Sequence, residues 1–202
     1  MDIKHLIINL PGSNREGFVS NQLTQLGFQY ELVNAIKGEE LKLSNEFLSV
    51  PANYTLDSEK RSWNHFACHL SWIKALQYAK KNNNQYFVIY EDDCLLIPSY
   101  KESLEILLQE LPADWVFINL GVRELYNLNL LPSKHLLAET RRTVTGMQSV
   151  LFNGNQVDQV LYQLLSWKNW VEILSPRITF PKFATYPALT SQSAALPTNI
   201  RN

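Results

Sequence analysis

The sequence predicts an α/β protein with a mostly parallel central sheet flanked by helices. Three observations carry that expectation. Strand-like and helix-like segments alternate from Ile3 to Leu120, and the run Tyr86-Phe-Val-Ile-Tyr90 is apolar at every position, as in a strand covered on both faces. No repeat or low-complexity linker breaks the alternation.

The first strand is Ile3-Lys-His-Leu-Ile-Ile-Asn-Leu10, closed by Pro11-Gly12, and residues 15–26 then space Phe18, Val19, Leu23 and Leu26 near the helical period. Gly27 punctuates that helix, and Phe28, Tyr30 and Leu32 alternate with polar neighbours up to Ile36, completing a βαβ unit. Residues 41–60, with Pro51, read as irregular. From Ser62 to Lys81 two apolar stripes run side by side, Trp63, Phe66, Leu70, Ile73 and His65, His69, Trp72, Leu76. They predict a long helix buried over much of its circumference and broken by Asn82-Asn83-Asn84. A central strand at 85–90, a helix at 98–111 with Leu104, Leu107, Leu108 and Leu111 inward, and a strand at 114–120 ended by Gly121 continue the alternation. Beyond a loop through Arg141, residues 144–152 read as a strand and 155–170 as a helix. The proline-bearing tail, with Pro176, Pro181, Pro187 and Pro197, reads as less regular.

Composition bounds the function. With 202 residues, 46% apolar and 18% charged, the chain should form one domain with a large core. Its 18 basic and 19 acidic residues give a net charge of −1, and no block of five like charges occurs, which argues against nucleic-acid binding. The apolar runs fall far short of the roughly 20 residues that span a bilayer. The start, Met1-Asp-Ile-Lys-His5, lacks the pattern of a signal peptide, so the expected location is cytoplasmic. Cys68 and Cys94 read as buried thiols rather than a disulfide.

The strongest chemical feature is Glu91-Asp92-Asp93, three carboxylates directly after the most apolar strand. Their mutual repulsion calls for a counter-charge. A Mn²⁺ or Mg²⁺ ion, which takes oxygen ligands and bridges phosphates, would answer it and point to a phosphorylated ligand. The other reading is a chain turn with solvated acids. Pro11-Gly-Ser-Asn-Arg15 lies at the same carboxyl edge. Ser13 or Asn14 is suited to cap a helix whose N-terminus faces an anion, and Arg15 is either a nucleotide contact or a surface charge. Neither a dinucleotide fingerprint nor a phosphate-binding Walker loop is present, and His65-Phe-Ala-Cys-His69 lacks the Glu that a zinc protease needs after its first His.

Taken in order, several short motifs resemble glycosyltransferase family 25, the bacterial lipopolysaccharide-type galactosyl- and glucosyltransferases with collagen galactosyltransferase relatives. They are Ile7-Ile-Asn-Leu10 leading to Arg15, Val33-Asn-Ala-Ile-Lys-Gly38, Phe66-Ala-Cys-His69-Leu70 and Val88-Ile-Tyr-Glu91-Asp92-Asp93. Pro112 to Trp115, Thr145-Gly146 before Val150-Leu-Phe152, Tyr186-Pro-Ala-Leu-Thr-Ser-Gln192 and Thr198-Asn-Ile200 follow. Two departures stand out. Arg61-Ser-Trp-Asn64-His65 replaces the family's Gly-Glu-x-Gly-Cys, and Val171-Glu172 aligns with its Val-Asp.

The resemblance implies a GT-A-type nucleotide-sugar fold across a single domain, 1–202, with a donor-binding part about 1–121 and an acceptor-side part about 122–202. It implies a UDP-sugar along the carboxyl edge, contacted by Asn9, Arg15, His69, Glu91, Asp92 and Gln192, and a Mn²⁺ (or Mg²⁺) ion on Asp92 and Asp93. Catalysis would invert the anomeric centre, with Asp93 and Glu172 as catalytic groups and Glu172 as the base. Trp167 and Trp170 are placed to stack on an acceptor sugar or to pack in the core. The acceptor would be a saccharide or glycolipid of lipopolysaccharide, capsule or another surface glycan, handled at the inner face of the membrane with at most peripheral contact. The competing expectation is a non-catalytic module of the same fold that binds sugar or a partner enzyme, favoured by the missing Gly-Glu-x-Gly-Cys element.

Overall fold

Period-two alternation builds the centre of the molecule. In β1 (Lys4–Asn9), Leu6 and Ile8 point to one face of the sheet and Ile7 to the other, and in β3 (Tyr86–Glu91) Phe87 and Ile89 oppose Val88 and Tyr90; all seven are buried. Both strands are therefore covered on two sides, which is why they read as unbroken apolar runs. The structure is a computed structural model and describes residues 3–43, 59–121, 128–130, 134–140, 147–165 and 183–196.

The elements follow in the order β1, α1 (Phe18–Gln25), β2 (Tyr30–Asn34), α2 (Gly38–Leu43), α3 (Glu59–Lys81), β3, β4 (Cys94–Leu96), α4 (Tyr100–Gln109) and β5 (Phe117–Asn119). Then come β6 (Leu128–Leu130), β7 (Leu137–Thr140), β8 (Ser149–Asn153), a 3-10 turn over Gly154–Gln156, α5 (Val157–Leu165), β9 (Phe183–Thr185) and β10 (Thr190–Gln192). Eight strands form one sheet in the order β2-β1-β3-β8-β5-β9-β7-β6, and β10 pairs with β4 in a separate ribbon. In the large sheet β8 and β7 run against the other six, so the mostly parallel sheet is present, with a reversed strand set between β3 and β5.

One apolar layer packs beneath α3 and α5, with Trp72 and Leu76 against Phe87, Ile89 and Phe152. The other lies under α1 and α4, with Val19, Leu23, Leu104 and Leu107 against Ile7 and Val88. The registers bring the strand ends level: Asn9 faces Asn34, and Ile8 faces Glu91. The loops leaving β1, β2 and β3 therefore open at one edge.

The expected elements are found, with differences at their margins. Helix α1 begins at Phe18 rather than at 15, because Gly17 adopts the left-handed φ of 84° that starts it. Ser13 turns the loop instead of capping the helix, its Oγ accepting the Arg15 N–H at 3.3 Å. The segment expected to be irregular opens with α2, and the tail expected to be less regular contains β9 and β10. No helix among the described residues is long and apolar enough to cross a membrane.

Candidate active site

At the level edge of β1, β2 and β3 lies a cavity of about 380 Å³. The loop after β1 contributes Leu10 and Arg15, the turn from β2 into α2 contributes Ala35 to Glu39, and the end of β3 contributes Glu91, Asp92 and Asp93. Helix α3 roofs it with Cys68, Ser71 and Trp72, because the turn of the helix that crosses the sheet edge directs those side chains downward. The final wall arrives from far along the chain: β10 pairs antiparallel with β4, placing Gln192 opposite Cys94 and beside the acidic loop.

The acids are not a solvated turn. Asp92 and Asp93 are only 9% and 2% exposed. Nor is Arg15 a surface charge: its Nη1 lies 3.0 Å from both Asp92 Oδ1 and Asp93 Oδ2. The counter-charge demanded by the triplet thus comes in part from the chain itself. Gln192 Nε2 donates to the same Asp93 Oδ2 at 2.9 Å, whereas Asp93 Oδ1 is buried with no hydrogen-bond partner. Burial pushes the Asp92 carboxyl above its ordinary range, helped by the neighbouring Asp93 charge and opposed by Arg15 and the Leu10 N–H.

Glu91 is held from above. The Trp72 indole N–H donates to its Oε1 at 3.1 Å, and the Cys68 thiol donates more weakly to the same oxygen at 3.7 Å. Ser71 orders the next turn by accepting the Ile36 N–H at 2.8 Å while donating to the Ala67 carbonyl at 2.7 Å. These partners of the site were not singled out from sequence. The available signal was Trp72, an aromatic with a polar tip on the same helical stripe as His65 and His69. Cys94 is a buried thiol as expected, but Cys68 is only half-buried and reaches the cavity.

The expected site residues divide. Arg15, Glu91, Asp92, Asp93 and Gln192 converge on the cavity. Asn9 is buried at the end of β1 and lines a smaller, adjoining cavity of about 120 Å³, which it shares with Arg15 and Asp92. His69 is absent from the residues lining either cavity. Its Nε2–H donates to the Leu164 carbonyl at 3.3 Å, tying α3 to α5, and burial lowers its pKa to about 4, so the ring is neutral near neutral pH. Glu172, Trp167, Trp170 and Thr145-Gly146 lie outside the described residues. In the departing segment, Asn64 lines the cavity and packs over Gly38, where a Cβ would collide with the Asn64 side chain. The missing Cβ at Gly38 makes room for an amide where the family pattern has glycine.

Among the described residues no three His, Cys, Asp or Glu side chains form an all-protein metal cage. The donor set still fits a small divalent cation. Such ions are held by one or two carboxylates while phosphate and water supply the rest, and Asp93 offers a buried, unpartnered oxygen beside Asp92.

The geometry can be set beside known proteins. No curated protein sequence matches the chain. Among solved structures, a glycosyltransferase involved in the glycosylation of the major capsid of PBCV-1 is 12% identical with a TM-score of 0.52, over 98% of this chain and 95% of that one. A197 from STIV is 10% identical with a TM-score of 0.46, over 100% and 99% of the two chains. The mannose-1-phosphate geranyltransferase from Thermus thermophilus is 8% identical with a TM-score of 0.49, over 91% and 73%. At 12% identity the first likeness is one of fold. A sequence model of family 25, described as an LPS biosynthesis protein, matches residues 2–161, which include β1 to β3, the acidic loop and Arg15. With its α/β sheet and its acidic edge in register with that match, the chain belongs to glycosyltransferase family 25.

Proposed function

We propose that this glycosyltransferase moves a hexose, galactose or glucose, from a UDP-sugar to a saccharide or glycolipid acceptor in surface-glycan synthesis at the cytoplasmic face of the membrane, with a divalent cation and with inversion. One observation carries the donor and cation reading: the buried, unpartnered Asp93 Oδ1 in a cavity walled by Asp92, Glu91 and Arg15. Buried carboxylate oxygens are as a rule hydrogen-bonded, so one left without a donor beside an acidic cavity supports a ligand there.

In this reading Glu91, aimed by Trp72 and Cys68, accepts hydroxyl hydrogens of the donor's ribose. Asp92 and Asp93 hold the Mn²⁺ or Mg²⁺, and Gln192 fixes the Asp93 carboxylate. When bound, the cation stabilises the negative charge that gathers on the departing diphosphate. Arg15 adds a second positive charge at the same place. Inversion by a single in-line displacement needs a base for the acceptor hydroxyl. Such a group contributes about 10² to 10⁴-fold, and Glu172 is the proposed one.

Release of UDP from UDP-galactose and UDP-glucose, with and without Mn²⁺, tests the reading. Replacing both Asp92 and Asp93 by Ala should lower the Mn²⁺-dependent rate by at least about 10² to 10³-fold with the fold retained by circular dichroism. An unchanged rate in the double variant defeats it, and absence of turnover with retained UDP binding points instead to the non-catalytic module.

A further inference from the structure

The Arg15 guanidinium sits where an arriving cation would do its work. One nitrogen, Nη1, is 3.0 Å from a carboxylate oxygen of each aspartate, and the side chain is only 7% exposed. Asp93 Oδ2 is already engaged by both Arg15 and Gln192, and Asp92 Oδ1 by Arg15. A free cation would therefore meet carboxylate oxygens already engaged on both aspartates, beside a fixed positive charge. A nucleoside diphosphate changes both terms. It brings the missing oxygen ligands, and its negative charge lets the guanidinium and the cation occupy the same few ångströms.

We infer that Arg15 is a resident counter-ion that excludes free divalent cations from the acidic loop and makes cation and nucleoside diphosphate enter together. The inference rests on the metal-dependent reading above and adds an order of binding to it. Its position supports the role. Arg15 is held in a tight loop by the Ser13 N–H bond to the Leu10 carbonyl and by the Phe18 N–H bond to its own carbonyl. Together with Asp92 it lines both the main cavity and the smaller one beside Asn9 and Gly17, so the guanidinium has space on its far side when a cation takes its place on Asp93. The uncomplexed site is thereby stabilised without metal, and a stray cation must compete with the guanidinium for both carboxylates.

The test measures Mn²⁺ binding itself. Free Mn²⁺ is counted by its electron paramagnetic resonance signal in titrations of the wild type, Arg15→Gln and Arg15→Lys, each with and without UDP. Without UDP, Arg15→Gln should bind Mn²⁺ at least tenfold more tightly than the wild type, and UDP should improve wild-type binding by a larger factor than it improves the variant's. Arg15→Lys keeps the charge but ends one bond nearer the backbone than Nη1, which loosens its hold on the two carboxylates, and should fall between them. Should Arg15→Gln fail to fold, Arg15→Lys alone decides, through tighter Mn²⁺ binding than the wild type without UDP. Equal or weaker metal-only binding in the folded variants overturns the inference and leaves the metal-dependent reading standing. A wild type that binds no Mn²⁺ even with UDP overturns both.

Discussion

Glu110 and the Asp92–Asp93 pair are all carboxylates withdrawn from water, yet their surroundings differ in one decisive respect. Glu110, at the end of α4, accepts the His135 backbone N–H at 2.6 Å and its Nδ1–H at 2.9 Å on one oxygen, and the Leu136 N–H at 3.0 Å on the other. Burial pushes its carboxyl up, but those three donors outweigh it and hold it below the usual range. It fastens α4 to the segment entering β7. Asp93 has two donors on one oxygen and none on the other, and burial drives its neighbour Asp92 upward. A carboxylate with both oxygens satisfied closes a structure. One left half-satisfied at a cavity costs folding free energy and holds chemistry in reserve.

Three measurements press on that contrast, and the largest effect comes from a buried base that sets its scale. His69 titrates near 4 when folded and near 6.5 when unfolded. Below about pH 6.5 the unfolded chain takes a proton that the folded chain refuses, so stability falls as the pH drops through this window. The full loss is about 3 kcal/mol, and urea unfolding at pH 7.5, 6 and 4.5 should show it in the wild type and a flatter profile in His69→Gln. Equal slopes would mean that burial without a compensating charge costs this protein little. Next, Glu110→Ala should cost about 1–3 kcal/mol by stripping three donors of their acceptor, at about 2–4 °C of Tm per kcal/mol, while UDP release stays near the wild-type rate. The smallest effect belongs to Asp93→Asn. Its stability should stay within about 1 kcal/mol of the wild type while Mn²⁺ binding with UDP is lost. A loss of stability matching that of Glu110→Ala would erase the distinction between fastener and reserved ligand.

The legible parts of the fold are those in which one chemical pattern persists for several residues. β1, β3, α3 and α4 carry their period in five or more positions and lie where expected. β4, β5, β6, β9 and β10 are three residues each, too short for a period, and of these only β5 falls inside an expected strand, residues 114–120. β4, β9 and β10 exist because of distant partners. The reversed direction of β8 is likewise set by its neighbours β3 and β5, not by anything within Ser149–Asn153. The site follows the same rule. The acidic triplet is visible as a local run, but its counter-ion stands 77 residues upstream, and no spacing links Arg15 to Asp92. His69 shares a helical stripe with Trp72, yet the two side chains serve different purposes. Trp72 reaches Glu91, and His69 turns to α5, a difference fixed by what packs against the helix.

Gln192 touches Asp93 across ninety-nine positions of sequence, and the Ser193 N–H bonds the Asp93 carbonyl at 2.9 Å. A polypeptide emerging from the ribosome therefore carries its acidic loop without the Gln192 and Ser193 braces until ninety-nine further residues have been synthesised. Contacts of such span form late, because closing a long loop must precede any gain from the pairing. The donor pocket is thus completed near the end of folding, so a nascent fragment ending before β10 would have the sheet edge without its closing wall.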